Sequence, residues 1–349
     1  VSGLHGAIHT GPKNAITDVS GLIVGNAEDE AAITGATVVL CEDGLRATAA
    51  VDVSGGGPGT RETDALASGT LVDAVDAVVI AGGSAYGLEA AGGVHAWLGA
   101  QDRGFNTGVA KVPIVPGAIL YDLANGGDKN WGETPPFRAL GIQAAKSASA
   151  DFALGNAGAG YGARSGSLEG GLGTASAVDP VTGCTIGAIA AVNSCGDVVA
   201  EDGRFIAGLL EMDDEFGGFG PPTSPLTPDP VYPKLGHGVQ MGKMNTTLAV
   251  VACDAALSHE DTCRLAVMSR AGFARAIRPV FSPFDGDIVF SLATGKGPEV
   301  DLIGLARLGA IAADCLTRAI ARGVYEARPL GKDRVCWRDK YTDLCGAKG

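Results

Sequence analysis

The sequence predicts an α/β fold, and two features carry the prediction. Apolar runs of strand length alternate with helix-length segments along the whole chain, and glycine-rich turns separate them. The 349 residues include 54 Gly, well above the average usage of about 7%. There is no Gly-X-Y period and only 17 Pro, which excludes collagen, and a hydrophobic content of 46% excludes a disordered chain. At this length roughly three-quarters of the unfolded surface can be buried, so a large core needs no staples.

The elements follow in order. Ala36–Leu40 and Ala47–Val53 read as strands. Ala77–Ala81 is a buried strand that runs into Gly82-Gly83-Ser84, and a helix follows over Ala85–Leu98. Pro113–Leu120 is a further apolar run. Gly155–Gly173 has too many glycines for a helix and reads as a loop. Thr185–Val192 is a strand, with Val198–Ala200 as its expected partner after the turn Gly196-Asp197. Residues 217–244, rich in proline and without periodicity, read as an exposed loop. Leu248–Cys253 is a strand. Ser258 caps a helix that runs to about Ile277, with Asp261 three residues on. Ile288–Leu292 is a strand and Leu302–Ala321 a long amphipathic helix. No clean two-domain boundary appears, and residues 326–349 read as a polar C-terminal appendage.

The formal net charge of −13 argues against nucleic-acid and anionic-membrane partners, which require a basic face. No run is long and apolar enough for a membrane span. Val1–Lys13 lacks the apolar stretch of a signal peptide. A cytoplasmic location is therefore expected, or a periplasmic one if a presequence has been removed. None of the eight Cys forms CxxC, and most lie in apolar surroundings, as buried thiols do; Cys336 and Cys345 could pair. The five His form no ligand pair, so no metal or cofactor is expected. Gly158–Ala163 matches the dinucleotide pattern GxGxxA, but no strand precedes it and later glycines preclude the helix that should follow. Gly236–Lys243 has the wrong spacing for a phosphate loop. Gly82-Gly83-Ser84 could cap a helix or receive an anion.

Asn245-Thr246-Thr247 joins the proline-rich segment to an apolar strand. A break before Thr246 would place its hydroxyl beside a free α-amine at the head of a buried strand. An α-amine with a pKa of about 7.7–8.0 can accept the hydroxyl proton without any His. The intact chain could make that terminus itself, by attack of the hydroxyl on the preceding carbonyl, an N-to-O acyl shift and hydrolysis of the ester. By itself the tripeptide reads as an ordinary loop-to-strand junction, and only further support would favour the cleavage reading.

Other segments add to it. Gly11–Val19, Thr34–Val39, Val51–Thr63, Ala81–Ala90, Val112–Pro116, Gly155–Gly160, Asn245-Thr246-Thr247 and Asp285-Gly286-Asp287, in this order, resemble a family of self-cleaving amidases. It includes L-aminopeptidase/D-esterases, β-aminopeptidases and nylon-oligomer (6-aminohexanoate-oligomer) endohydrolases. The resemblance covers residues 11 to about 325. It implies a single αββα sandwich over 1–325, cleaved into a large chain 1–245 and a small chain 246–349. Thr246 would be the nucleophile, and Asp285 and Asp287 would orient it. Asn193 would stabilise the oxyanion, and Tyr121 would stand beside the reacting carbonyl. Ile119, Ser167 and Tyr86 fall at substrate-binding positions. The implied assembly is a homotetramer of two-chain protomers acting on small or oligomeric amides.

Two departures bear on the substrate. Ser167 stands where the oligomer hydrolases place a lysine near the end of the glycine-rich loop. Ile119 stands where the aminopeptidases hold the substrate's free amine with a glutamate. An apolar residue cannot pair an ammonium, which favours endo-type action unless another acid, such as Asp122, takes the role. An acyltransferase related in architecture is a further alternative, but the motif string matches the amidases.

Overall fold

Two mixed sheets stack between two helical layers in the computed structural model, which describes residues 7–42, 44–226, 245–331 and 334–346. The first sheet has the order β1 (Leu22–Asp29), β2 (Thr34–Cys41), β6 (Ala77–Ala81), β7 (Gly117–Ile119) and β4 (Thr60–Arg61). The second runs β8 (Gly171–Asp179), β9 (Cys184–Asn193), β10 (Thr246–Cys253), β11 (Ile288–Ala293), β3 (Ala47–Val53) and β5 (Ala74–Val75). Helices α1 (Glu89–Gly99) and α2 (Phe137–Ser147) cover the first sheet. Helices α3 (His259–Ser269), α4 (Ala271–Ala276) and α5 (Leu302–Glu326) cover the second.

Strand alternation builds both sides of this sandwich. In β10, Leu248, Val250 and Ala252 join the core between the sheets, while Ala249, Val251 and Cys253 face the helices. Every residue of β10 and β11 is buried, as expected for central strands covered on both faces. Asp301 opens α5 by accepting the Gly304 amide at 2.8 Å.

Four local expectations are corrected. The segment after β6 begins as a 3-10 turn over Ser84–Leu88, because Gly83 and Ser84 both take positive φ (82° and 53°), and α1 starts only at Glu89. Val198–Ala200 does not pair with β9, whose two edges are taken by β8 and β10; Val199 instead bridges Phe205. The glycine-rich stretch does not stay a loop to Gly173, since Gly171–Gly173 begin β8. A Cβ on Gly173 would lie 2.1 Å from the Ala319 carbonyl of α5, so only glycine permits this contact. Finally, the C-terminal segment is part of the core. Trp337 is fully buried, stacks on Phe205 at 5.3 Å and donates its indole N–H to the Gly203 carbonyl at 2.8 Å.

Cys336 and Cys345 are both free thiols, the first buried and the second exposed. Among the described residues no helix is long and apolar enough to cross a membrane. Residues 227–244, the greater part of the expected loop, lie outside the described residues.

Asp179 locks the turn from β8 to β9. It accepts from the Val181 amide, the Thr182 hydroxyl and both Nε and Nη2 of Arg307, the last at 2.7 Å. The Arg307 guanidinium holds this carboxyl at about 2, below the usual carboxylate range. A depressed acid stabilises the fold above its unfolded pKa of about 3.9 and loses that contribution as pH falls through its folded value. Arg307→Ala should therefore lower the melting temperature by a few degrees near pH 7, from a loss of about 1–2 kcal/mol after allowing for the exposure of Arg307. In melts at successive pH values the deficit should shrink between about pH 4 and pH 2; a deficit that stays constant there would refute the pairing.

Candidate active site

The site forms where the central strands of the second sheet end. Thr246 opens β10 and lies directly opposite Asn193, the last residue of β9. Both continue the alternation that faces the gap between the sheets. Both are nearly fully buried, at 2% and 3% exposure. Tyr121, just past β7 of the other sheet, accepts a hydrogen bond from Asn193 Nδ2 on its backbone carbonyl at 2.9 Å. The Asn193 Oδ1 in turn accepts the Arg164 amide at 3.0 Å.

The chain before β11 closes the site from the other side. Asn245 bridges Asp285 in parallel, donating its amide to the Phe284 carbonyl at 2.9 Å. Its own carbonyl oxygen accepts the Gly286 amide at 2.8 Å and the Thr246 hydroxyl at 2.5 Å. Asp287 accepts the Thr247 amide at 2.7 Å on one oxygen and the Phe281 amide at 3.1 Å on the other. Asp285 accepts the Cys195 amide at 3.2 Å and the Ser282 hydroxyl at 2.5 Å. The two carboxylates thus tie β10, the end of β9 and the approach to β11 together around the Thr246 hydroxyl. Ser54 and Gly55 donate to the Asp287 carbonyl, and Gly57 to that of Asp285, so the glycine run after β3 braces this approach.

Five of the residues read from the sequence therefore meet: Thr246, Asn193, Asp285, Asp287 and, through its carbonyl, Tyr121. The other three occupy different places. Ile119 is 7% exposed and belongs to the core beneath α1 and α2. Tyr86 is half exposed, with its ring edge-on to Trp131 at 5.4 Å. Ser167 is exposed at the tip of the hairpin formed by Arg164–Ser165 and Leu168–Glu169. It accepts Lys340 Nζ at 3.0 Å beside a pocket of about 380 Å³ lined also by Asp197, Arg278 and Tyr341.

Asp122 is not presented for a substrate ammonium. It is 2% exposed and accepts the Thr34 hydroxyl at 2.6 Å and the Gly83 amide at 2.7 Å. Burial pushes its carboxyl up. The chain's own carboxylate thus fills the anion position at the turn after β6.

Sequence reasoning missed the Gly286 amide, because a backbone N–H leaves no side-chain signature. Ser282 was missed too, although a hydroxyl three residues before an acid is a recognisable local hydrogen-bonding pattern. Gly286 also has no room for a side chain: a Cβ would lie 2.7 Å from both Thr246 Oγ1 and the Gly57 carbonyl. Gly286→Ala should displace the hydroxyl and, if the chain breaks before Thr246 as the resemblance implies, leave at least nine-tenths of it uncut when intact mass is measured. A variant cut as completely as the wild type would show that this contact does not position Thr246.

This fold, and the buried hydroxyl, amide and carboxylates that meet in it, define the class as a hydrolase. The model of peptidase family S58 matches residues 14–335, and the chain belongs to that family. An uncharacterized aminopeptidase of Mycobacterium tuberculosis is 43% identical over 357 residues, spanning 96% of this chain and 100% of its own. A 6-aminohexanoate-oligomer endohydrolase of a Kocuria species is 28% identical, over 89% of this chain and 86% of its own. The L-aminopeptidase D-Ala-esterase/amidase of Ochrobactrum anthropi, whose structure is described as a new variant of the Ntn hydrolase fold, aligns with a TM-score of 0.69 at 21% identity. That alignment covers 99% of this chain and 97% of that one.

Proposed function

We propose that this chain is an amide hydrolase matured by breaking its own Asn245–Thr246 bond, with Thr246 the nucleophile of maturation and turnover alike. One observation carries the reading. The Thr246 hydroxyl is buried against the carbonyl of the preceding residue, whose oxygen is already held by the Gly286 amide. Attack of Oγ1 on the Asn245 carbonyl carbon, with the hydroxyl proton passing to the departing amide nitrogen, gives an ester and a free α-amine. Water then hydrolyses the ester, leaving an Asn245 carboxylate and restoring the hydroxyl. In turnover the α-amine accepts the hydroxyl proton as the substrate acyl group moves to Oγ1. The leaving amine takes a proton, and water releases the acid. Asn193 Nδ2 supplies an oxyanion donor at the facing strand position.

Endo-type action on peptide-like or nylon-oligomer-like amides follows from the substrate side. Ile119 cannot pair an ammonium, and Asp122 is committed to Thr34 and Gly83. The aminopeptidase name of the 43% identical relative favours a second reading, in which the substrate carries a free amine. Intact mass of the purified protein, combined with a panel of oligoamides bearing free or acylated amines, tests both. Endo-type action predicts turnover of the acylated oligomers at a rate equal to or above that of the free ones. A rise in KM of tenfold or more on acylation would select the aminopeptidase. The homotetramer of two-chain protomers belongs to the same proposal, and light scattering after size exclusion tests it.

A further inference from the structure

The C-terminal segment reaches the candidate site through one buried ion pair. Arg334 and Glu169 have side-chain exposures of 8% and 1% and pair through both carboxylate oxygens, with Arg334 Nη2 at 2.5 Å from Oε2. Burial raises the Glu169 carboxyl, and the guanidinium opposes that rise. The Glu169 amide donates to the Val335 carbonyl at 2.8 Å, and Trp337 anchors the following turn in the core. Glu169 lies directly opposite Arg164 in the hairpin below Asn193.

The decisive detail is a single peptide unit. Arg334 Nη2 donates to the Ala163 carbonyl at 3.3 Å and to the Gly162 carbonyl at 3.4 Å. The Ala163 carbonyl and the Arg164 N–H belong to the same planar trans amide, so they point in opposite directions. The Arg164 N–H is the donor to Asn193 Oδ1. A donor at Oδ1 fixes which end of the Asn193 amide is oxygen and therefore aims Nδ2 the other way, toward Tyr121 and the head of β10. A cation on the carbonyl end also polarises the N–H end of the same unit.

We infer that Arg334, held by Glu169, is a positioning residue that sets the Asn193 amide through the Ala163–Arg164 peptide. This rests on the oxyanion role proposed for Asn193. It also brings the C-terminal segment to the site, alongside Thr246, Asp285 and Asp287 of the small chain, because Arg334 follows the proposed cleavage position and Glu169, Arg164 and Asn193 precede it.

The test is a double-mutant cycle on the cleaved enzyme, with kcat expressed per mole of free N-terminal Thr246. Arg334→Gln should lower kcat about tenfold with KM unchanged within twofold, and Arg334→Lys, which can still donate to Ala163, should recover part of the loss. In an Asn193→Ala background the Arg334→Gln change should have no further effect on kcat. Equal losses in both backgrounds, or a folded Arg334→Gln enzyme with wild-type kcat, would overturn the inference. If Arg334→Gln does not fold, the Lys variant alone carries the cycle, with an approximately threefold loss expected only when Asn193 is present. Loss of the whole functional reading looks different: the wild-type activity would then not depend on Thr246 at all.

Discussion

Thr246→Ala should run as one uncut chain of about 35 kDa on a denaturing gel, where the wild type should give bands of about 25 and about 10 kDa. It should also have no measurable amidase activity, the largest effect expected of any single change. The argument rests on how few groups the chemistry has. The described residues around the Asn245 carbonyl place one hydroxyl, that of Thr246, on its oxygen. In the proposed mechanism, removing it takes away the attacking atom of maturation. It also takes away the only means of creating the α-amine that serves turnover as base. Thr246→Ser keeps the oxygen but loses the β-branch that restricts χ1. It should still be cut, with turnover about tenfold slower because the nucleophile is less well aligned. The wild-type kcat/KM should rise with pH up to the amine's range of about 7.7–8.0 and level off above it. An uncut wild type with full activity, or a Thr246→Ala protein that still turns over, would sink the mechanism.

The parts of this molecule legible in the sequence are those written in side-chain periodicity. β10 and β11 show as apolar runs because both their faces are buried, and α5 shows as a stripe because one face packs on β8 and β9. Asn245-Thr246 was legible through a change of composition at the junction, and Asp285-Gly286-Asp287 and Asn193 through resemblance. What was illegible acts through backbone or across long sequence distances. Val198–Ala200 has a strand's composition, but composition does not say that both edges of β9 are occupied. The C-terminal segment looks polar because one tryptophan does most of its burying, and Arg334 finds its partner 165 positions away. Gly286 holds the Asn245 carbonyl with an N–H that every residue but proline possesses. Its mark is the absence of a side chain, which many other glycines here share for packing reasons, as Gly173 does against Ala319.

Asn193→Ala should separate the two reactions proposed for Thr246. In the uncut chain the Asn245 carbonyl oxygen is held by the Gly286 amide at 2.8 Å, whereas Asn193 Nδ2 donates to Tyr121. The charge that builds on that oxygen during self-cleavage therefore already has a donor, and the variant should still be cut. The bond from Gly286, together with the one from Asn245 to the Phe284 carbonyl, is made by backbone groups. Cleavage does not remove either, so the new Asn245 carboxylate can stay in place and keep the Gly286 donor occupied. An incoming substrate carbonyl then needs another donor, and the Asn193 amide stands at the position opposite Thr246. Loss of one such donor costs about 10²–10³ in kcat. The expected phenotype is two normal bands, kcat lower by about that factor and KM little changed, since the missing interaction forms as charge develops rather than on binding. Gly286→Ala should show the reverse, a defect already at cleavage. If Asn193→Ala blocks cleavage as well, both steps share the asparagine, and the assignment of the Gly286 amide to maturation is wrong.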